Sequence, residues 1–131
     1  MSPAAEVAFR LVGLFYVASG VLVVRTLAIS ATAGATWSAI TGEPPHPAER
    51  AREIWLAAGS VLIAAGGAAL MLLLDVAAVL FALAAFQQFL YLSVVAPRFL
   101  DPHDEPDAVG RARTRNAAFV HLAATVAVIA A

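Results

Sequence analysis

The stretch Ala68 to Leu80, AALMLLLDVAAVL, decides how this chain folds. It is apolar on both sides of a single acid, Asp75, and the apolar runs extend from Ile54 to Leu74 before it and from Val76 to Ala96 after it. A hydrocarbon core about 30 Å thick needs roughly 20 apolar residues at a helical rise of about 1.5 Å per residue. Each run meets that length. One helix through both would overshoot the bilayer, so the stretch reads as a tight hairpin between two membrane spans, with Asp75 capping the second of them.

Two further segments flank this pair. Glu6 to Ile29 carries Arg10 near one end and Arg25 near the other, about 22 Å apart by helical rise, so the two can snorkel to opposite interfaces. Arg111 to Ala131 is the other segment. Its uncharged part, Asn116 to Ala131, is short, which snorkelling arginines, a thinned bilayer or a longer natural chain would accommodate. The N-terminal run lacks the basic start of a signal peptide and outlasts its apolar region of about 7 to 15 residues, which predicts a retained helix. The sequence therefore predicts an all-α fold over residues 1–131. It is an integral membrane bundle of four transmembrane helices in antiparallel up-down order, with spans near 6–29, 54–74, 76–96 and 111–131. Residues 30–53 and 97–110 are read as loops on one shared side. Within the first loop, Thr26 to Gly42 (TLAISATAGATWSAITG) is uncharged and follows Arg25 without a turn signal. It is read as an extension of helix 1 or as an interfacial stretch anchored by Trp37.

Composition agrees with a membrane class. The 131 residues are 62% hydrophobic and 13% charged, against about 25% charged in soluble domains, and the mean hydropathy is +0.85. A net charge of −1 offers no basic surface for a phosphate backbone, which excludes nucleic acid as a partner. Cysteine is absent, so disulfides, thiolate nucleophiles and iron–sulfur ligation are excluded. Every basic side chain is arginine and alanine is abundant, a bias typical of a GC-rich bacterial genome. The predicted location is the bacterial inner membrane.

Arginine distribution sets the predicted orientation. Arg50 and Arg52 lie between the first and second spans, Arg98, Arg111, Arg113 and Arg115 between the third and fourth, and Arg25 falls on the same side. Arg10 stands alone on the other. Cytoplasmic loops carry the excess of arginine, so both charged loops are expected inside and both termini in the periplasm, with Trp37 and Trp55 at the inner interface. Three arginines at the start of the last helix oppose its macrodipole, so headgroup binding and topology are the better reasons for them. Asp101, Asp104, Glu105 and Asp107 precede them as pairing partners or caps, Asp107 being the expected N-cap. Pro47 suits a first helical position and Glu49 a first turn.

Few residues carry chemistry. Gln87 and Gln88 fall near the middle of the third span, with Tyr91 on the same face. His121 and Tyr16 lie at comparable depths on the fourth and first spans. Together with Ser19 and Thr125 these form a candidate intramembrane polar cluster, because side chains this polar face other helices rather than lipid. Two uses are open: a site for a quinone-like, haem or small polar ligand or a proton relay, or interhelical hydrogen bonds worth about 0.6 kcal/mol each. One intramembrane histidine does not supply paired haem ligands within the chain, and no cofactor is predicted. The loop set His46, Asp101, His103, Asp104, Glu105 and Asp107 is metal-capable, yet its spacing matches no defined site and it reads as a solvated acidic loop. Small residues recur at helical spacing as Gly13 and Gly20, as Ser60, Ala64 and Ala68, and as Ala123, Ala127 and Ala131. Such rows let helices approach closely, within the chain, in a homo-oligomer or against a larger membrane partner. No phosphate loop, nucleophile elbow or paired-carboxylate arrangement is present.

In size and hydropathy alone the chain resembles small four-span bacterial proteins such as the DoxX-like group. No residue role is carried over from that likeness. The functional expectation is a non-enzymatic interaction or accessory bundle; the alternative is ligand binding or transport through the polar cluster.

Overall fold

The computed structural model describes residues 1–103 and 107–131. All regular structure among them is helical. The elements are α1 (Pro3–Thr41), α2 (Pro47–Met71), α3 (Val76–Leu90), a π-helical continuation of α3 (Tyr91–Leu100) and α4 (Ala108–Ala130). Three helices among the described residues are long and apolar enough to cross a membrane: Pro3–Thr41, Pro47–Met71 and Val76–Leu100.

α1 starts where Ser2 accepts from the Ala5 amide and Pro3 takes the first turn, a position that loses nothing by lacking an N–H. The helix then runs unbroken past Arg25 to Thr41, so residues 26–41 extend helix 1. The expected 30–53 loop shrinks to residues 42–46, because 30–41 close α1 and 47–53 open α2. Hydroxyl back-bonding explains this. Thr26, Thr32, Thr36 and Thr41 each donate to the carbonyl four residues earlier, at 2.9 to 3.0 Å, which hides their polarity inside the helix. At 39 residues the helix is about 58 Å long and exceeds a bilayer core of about 30 Å. Gly42 ends it at φ 76°, and Pro44 and Pro45 forbid continuation. α2 opens on His46, whose Nδ1 accepts from the Ala48 amide at 3.2 Å, with Pro47 at the first position and Glu49 in the first turn.

The hairpin forms by a different device from the one expected. Asp75 makes no side-chain cap. Instead Leu73 adopts φ 55°, its amide donates to Leu70 and the Leu74 amide donates to Ala69, the paired bonds of a Schellman ending without its usual glycine. A β-carbon in the left-handed region is strained, and the turn it allows satisfies two carbonyls at the end of α2.

Among the described residues α1 and α2 share the most extensive contact, and glycine makes it possible. A β-carbon on Gly13 would lie 2.6 Å from the Gly67 carbonyl oxygen and 2.7 Å from the Met71 amide nitrogen. One on Gly20 would meet the Ser60 oxygen at 2.7 Å. These are backbone-to-backbone contacts that no side chain fits between. As the α1 partner advances from 13 to 20, the α2 partner retreats from 67 and 71 to 60 and 64.

Pro97 lies inside the continuation of α3. Its ring clashes with the carbonyl four residues back and it has no amide to give. The chain answers by widening to a π-helix from Tyr91 to Leu100, closed by the Asp101 amide donating five residues back to Ala96 at 2.8 Å. Asp107 caps α4 by accepting from Gly110. Asp101 accepts from both Arg52, at 3.3 Å, and Arg111, tying α2, the end of the π-helix and α4 together at one end.

Two apolar clusters result. One gathers Tyr16, Ala69, Leu70, Ala77 and Phe81 near the hairpin. The other gathers Ala48, Tyr91, Ala96 and Leu100 near the arginine-rich end.

Candidate functional site

The polar residues expected to form one cluster divide into two. Tyr16, Phe81, His121 and Thr125 close on themselves near the hairpin. Tyr16 meets the Phe81 and His121 rings edge-on at 5.0 and 5.3 Å, and His121 stacks on Phe81 at 5.2 Å. His121 is 2% exposed and Thr125 4%, and both reach the Phe81 carbonyl, at 3.2 and 3.4 Å. A carbonyl only accepts, so His121 Nε2 carries the proton and donates. Thr125 also bonds the His121 carbonyl at 2.8 Å. The His121 Nδ1 atom is buried without a partner among the described residues. This group pins α1, α3 and α4 together.

Gln87 and Gln88 lie elsewhere, beside Tyr91 of the cluster near the arginine-rich end. Gln87 Nε2 donates to the Trp55 carbonyl at 3.1 Å. Gly59 makes room for it, since a β-carbon there would lie 2.7 Å from the Gln87 Oε1 atom. Tyr91 stacks on Trp55 at 6.4 Å with 25° between the planes. These side chains wall a cavity of about 230 Å³, completed by Val23 of α1 and by Thr114, Ala117 and Ala118 of α4.

Two atoms give this cavity its character. Trp55 Nε1 and Gln88 Oε1 are buried and have no hydrogen-bond partner among the described residues. Each such atom costs about 1 to 3 kcal/mol if left unpaired. One is a donor only and the other an acceptor only. They belong to side chains on different helices that wall the same space.

No known protein family, characterised protein or solved structure matches this chain. The chemistry of the site therefore rests on its own residues.

Trp55 is the member that sequence reasoning assigned elsewhere. A tryptophan beside arginines near a helix start has the signature of an interfacial belt, and only the three-dimensional stack on Tyr91 places it in the cavity wall. Its shared level with Tyr91, each at the arginine-rich end of its own helix, was the available signal. Ser19 is half-buried and joins neither group.

The arginines also divide. Arg52 and Arg111 share Asp101, whereas Arg50, Arg98, Arg113 and Arg115 are exposed at the same end. Of the metal-capable loop set, Asp104 and Glu105 lie outside the described residues. His46 caps α2 and stacks on His103 at 5.9 Å, Asp101 is held by arginines, and Asp107 caps α4. No group of three metal-capable side chains gathers among the described residues. Of the small-residue rows, Gly13 and Gly20 face α2 of the same chain, against Gly67, Ser60 and Ala64, while Ala68, Ala123, Ala127 and Ala131 are exposed.

Proposed function

We propose that this protein is a four-span bacterial inner-membrane binding protein that holds a small polar molecule in the cavity between Trp55 and Gln88. The observation that carries this reading is the pair of buried, unpartnered atoms of opposite hydrogen-bonding character in two side chains that line one cavity. A bound group that accepts from the indole N–H and donates to the amide oxygen removes both penalties at once. Gln87 and Tyr91 position the pair, Gln87 by tying α3 to the α2 backbone and Tyr91 by fixing the indole plane. No residue is assigned a catalytic role.

The arrangement in the membrane belongs to the same proposal. α4 is the fourth span, its arginines snorkelling at its start, and the helices alternate in direction. The falling α2 register against rising α1 supports this for the first pair, and for α3 and α4 it is supported by His121 at Phe81 and, further along α3, by Leu92 lining one cavity with the earlier α4 residue Ala118. The arginine-rich connections face the cytoplasm and both termini the periplasm.

An accessory or oligomeric role loses the argument that Gly13 and Gly20 lent it, because those glycines seat α1 on α2. The binding reading is tested by native mass spectrometry of protein released gently from its own membrane. The wild type retains a small molecule and Gln88→Leu loses it while still inserting; bare protein in both cases contradicts the reading.

A further inference from the structure

The cavity at Trp55 does not end at its own walls. Leu92 and Ala118 line it on one side and also line a larger groove on the outer surface between α3 and α4. That groove holds about 530 Å³ and is walled mainly by Phe86, Phe89, Phe119 and Leu122, with Ser93 and Arg115 also in its lining. Phe86, Phe89 and Phe119 are 63%, 68% and 64% exposed, so in a bilayer they meet acyl chains. Below Leu92 and Ala118, Phe81, His121 and Thr125 clamp α3 to α4. The seam at Leu92 and Ala118 lies on the arginine side of that clamp.

Resting on the binding reading above, we infer that the ligand is a membrane-partitioned amphiphile with a single hydroxyl head, which enters sideways between α3 and α4. Its head occupies the cavity beside Trp55 and Gln88 and its tail lies in the phenylalanine groove. Size is the first argument. A cavity of about 230 Å³ falls short of the roughly 300 to 1,000 Å³ of an ordinary small-molecule site, so it takes a head group. The adjoining groove of about 530 Å³ takes the rest. Head chemistry is the second. A carboxylate accepts from the indole but gives nothing to the Gln88 oxygen, and an ammonium does the reverse, whereas a hydroxyl does both. Route is the third. Lipid tails are as apolar as the groove, so the tail contributes little selectivity and serves to deliver the head from the bilayer; the two polar contacts decide what stays.

Two measurements on the intact protein in lipid nanodiscs test this. Hexadecanol carrying a mid-chain diazirine is photolysed and its crosslinks are mapped by peptide mass spectrometry. Separately, binding of phenol, a hydroxyl head without a tail, is read from Trp55 fluorescence in a Trp37→Phe background. The expected result is several-fold more label on Phe89 and Phe119 than on the exposed α1 residues Leu14 and Leu22, with the excess lost in Gln88→Leu. Phenol binds in the parent and not in Gln88→Leu. Even labelling of all four positions, with phenol bound, overturns the amphiphile and leaves the cavity reading intact. Excess label that survives Gln88→Leu marks an ordinary lipid contact and also overturns the inference. Failure of both probes removes the cavity reading with it.

Discussion

Replacing Gly67 with alanine tests whether backbone contact between α1 and α2 holds the bundle. The added β-carbon would lie 2.7 Å from the Gly13 carbonyl oxygen, 2.8 Å from the Val17 amide nitrogen and 2.9 Å from the Tyr16 β-carbon. Ordinary contact begins near 3.4 Å. The helices must therefore part by up to about 0.7 Å (3.4 less 2.7), and a gap of that size forfeits a quarter to a half of the dispersion energy of each facing pair. Overpacking of this kind costs about 1 to 3 kcal/mol. Alanine also favours the helix over glycine by about 1 kcal/mol, which would mask part of the loss. Gly34→Ala removes that ambiguity, because nothing lies within 4 Å of its β-carbon and it gains the helix term alone. The two variants should differ by about 1 to 3 kcal/mol in reversible unfolding by SDS in bicelles, followed by circular dichroism. A difference below about 0.5 kcal/mol, the scatter of an ordinary surface change, would refute the backbone-contact argument.

Three other outcomes follow from the same structure. His121→Phe keeps the ring against Phe81 and Tyr16, loses the bond to the Phe81 carbonyl, worth about 0.6 kcal/mol, and removes the unpaired Nδ1 atom, which costs about 1 to 3 kcal/mol; it should be no less stable than wild type in the same unfolding assay and leave ligand retention unchanged. Asp101→Asn leaves Arg52 and Arg111 without their shared carboxylate; a loss of about 1 kcal/mol is expected at low salt, shrinking as ionic strength rises. A periplasm-active reporter fused after Ala131 should be active in cells, since arginine asymmetry places that terminus outside; a cytoplasmic signal would invert the topology.

The helical class and the hairpin were legible because apolar length against bilayer thickness is a one-dimensional property, and Asp75 interrupts it only once. The device that makes the hairpin was not, since a leucine at φ 55° violates the residue preference from which turns are read. The reach of α1 to Thr41 was left open for a related reason: threonine looks polar in sequence, and its bond to its own helix appears only in three dimensions. Depth along each helix marked Gln87, Gln88, Tyr91 and His121 as inward-facing candidates, yet depth does not report azimuth. His121 turns to Phe81 and Tyr16, whereas Gln87 turns to Gly59 and Trp55, and one expected cluster becomes two. The π-helix at Tyr91–Leu100 adds to this, because widening the helix moves each residue off the face that a regular 3.6-residue period assigns.

The most direct test of the central claim compares wild-type protein and Gln88→Leu, each released gently from its own membrane, by native mass spectrometry. Binding between Trp55 and Gln88 predicts a defined small molecule retained on the wild type and missing from a variant that inserts and folds equally well. Wild-type protein that emerges bare, or a variant that keeps the same molecule, would contradict it.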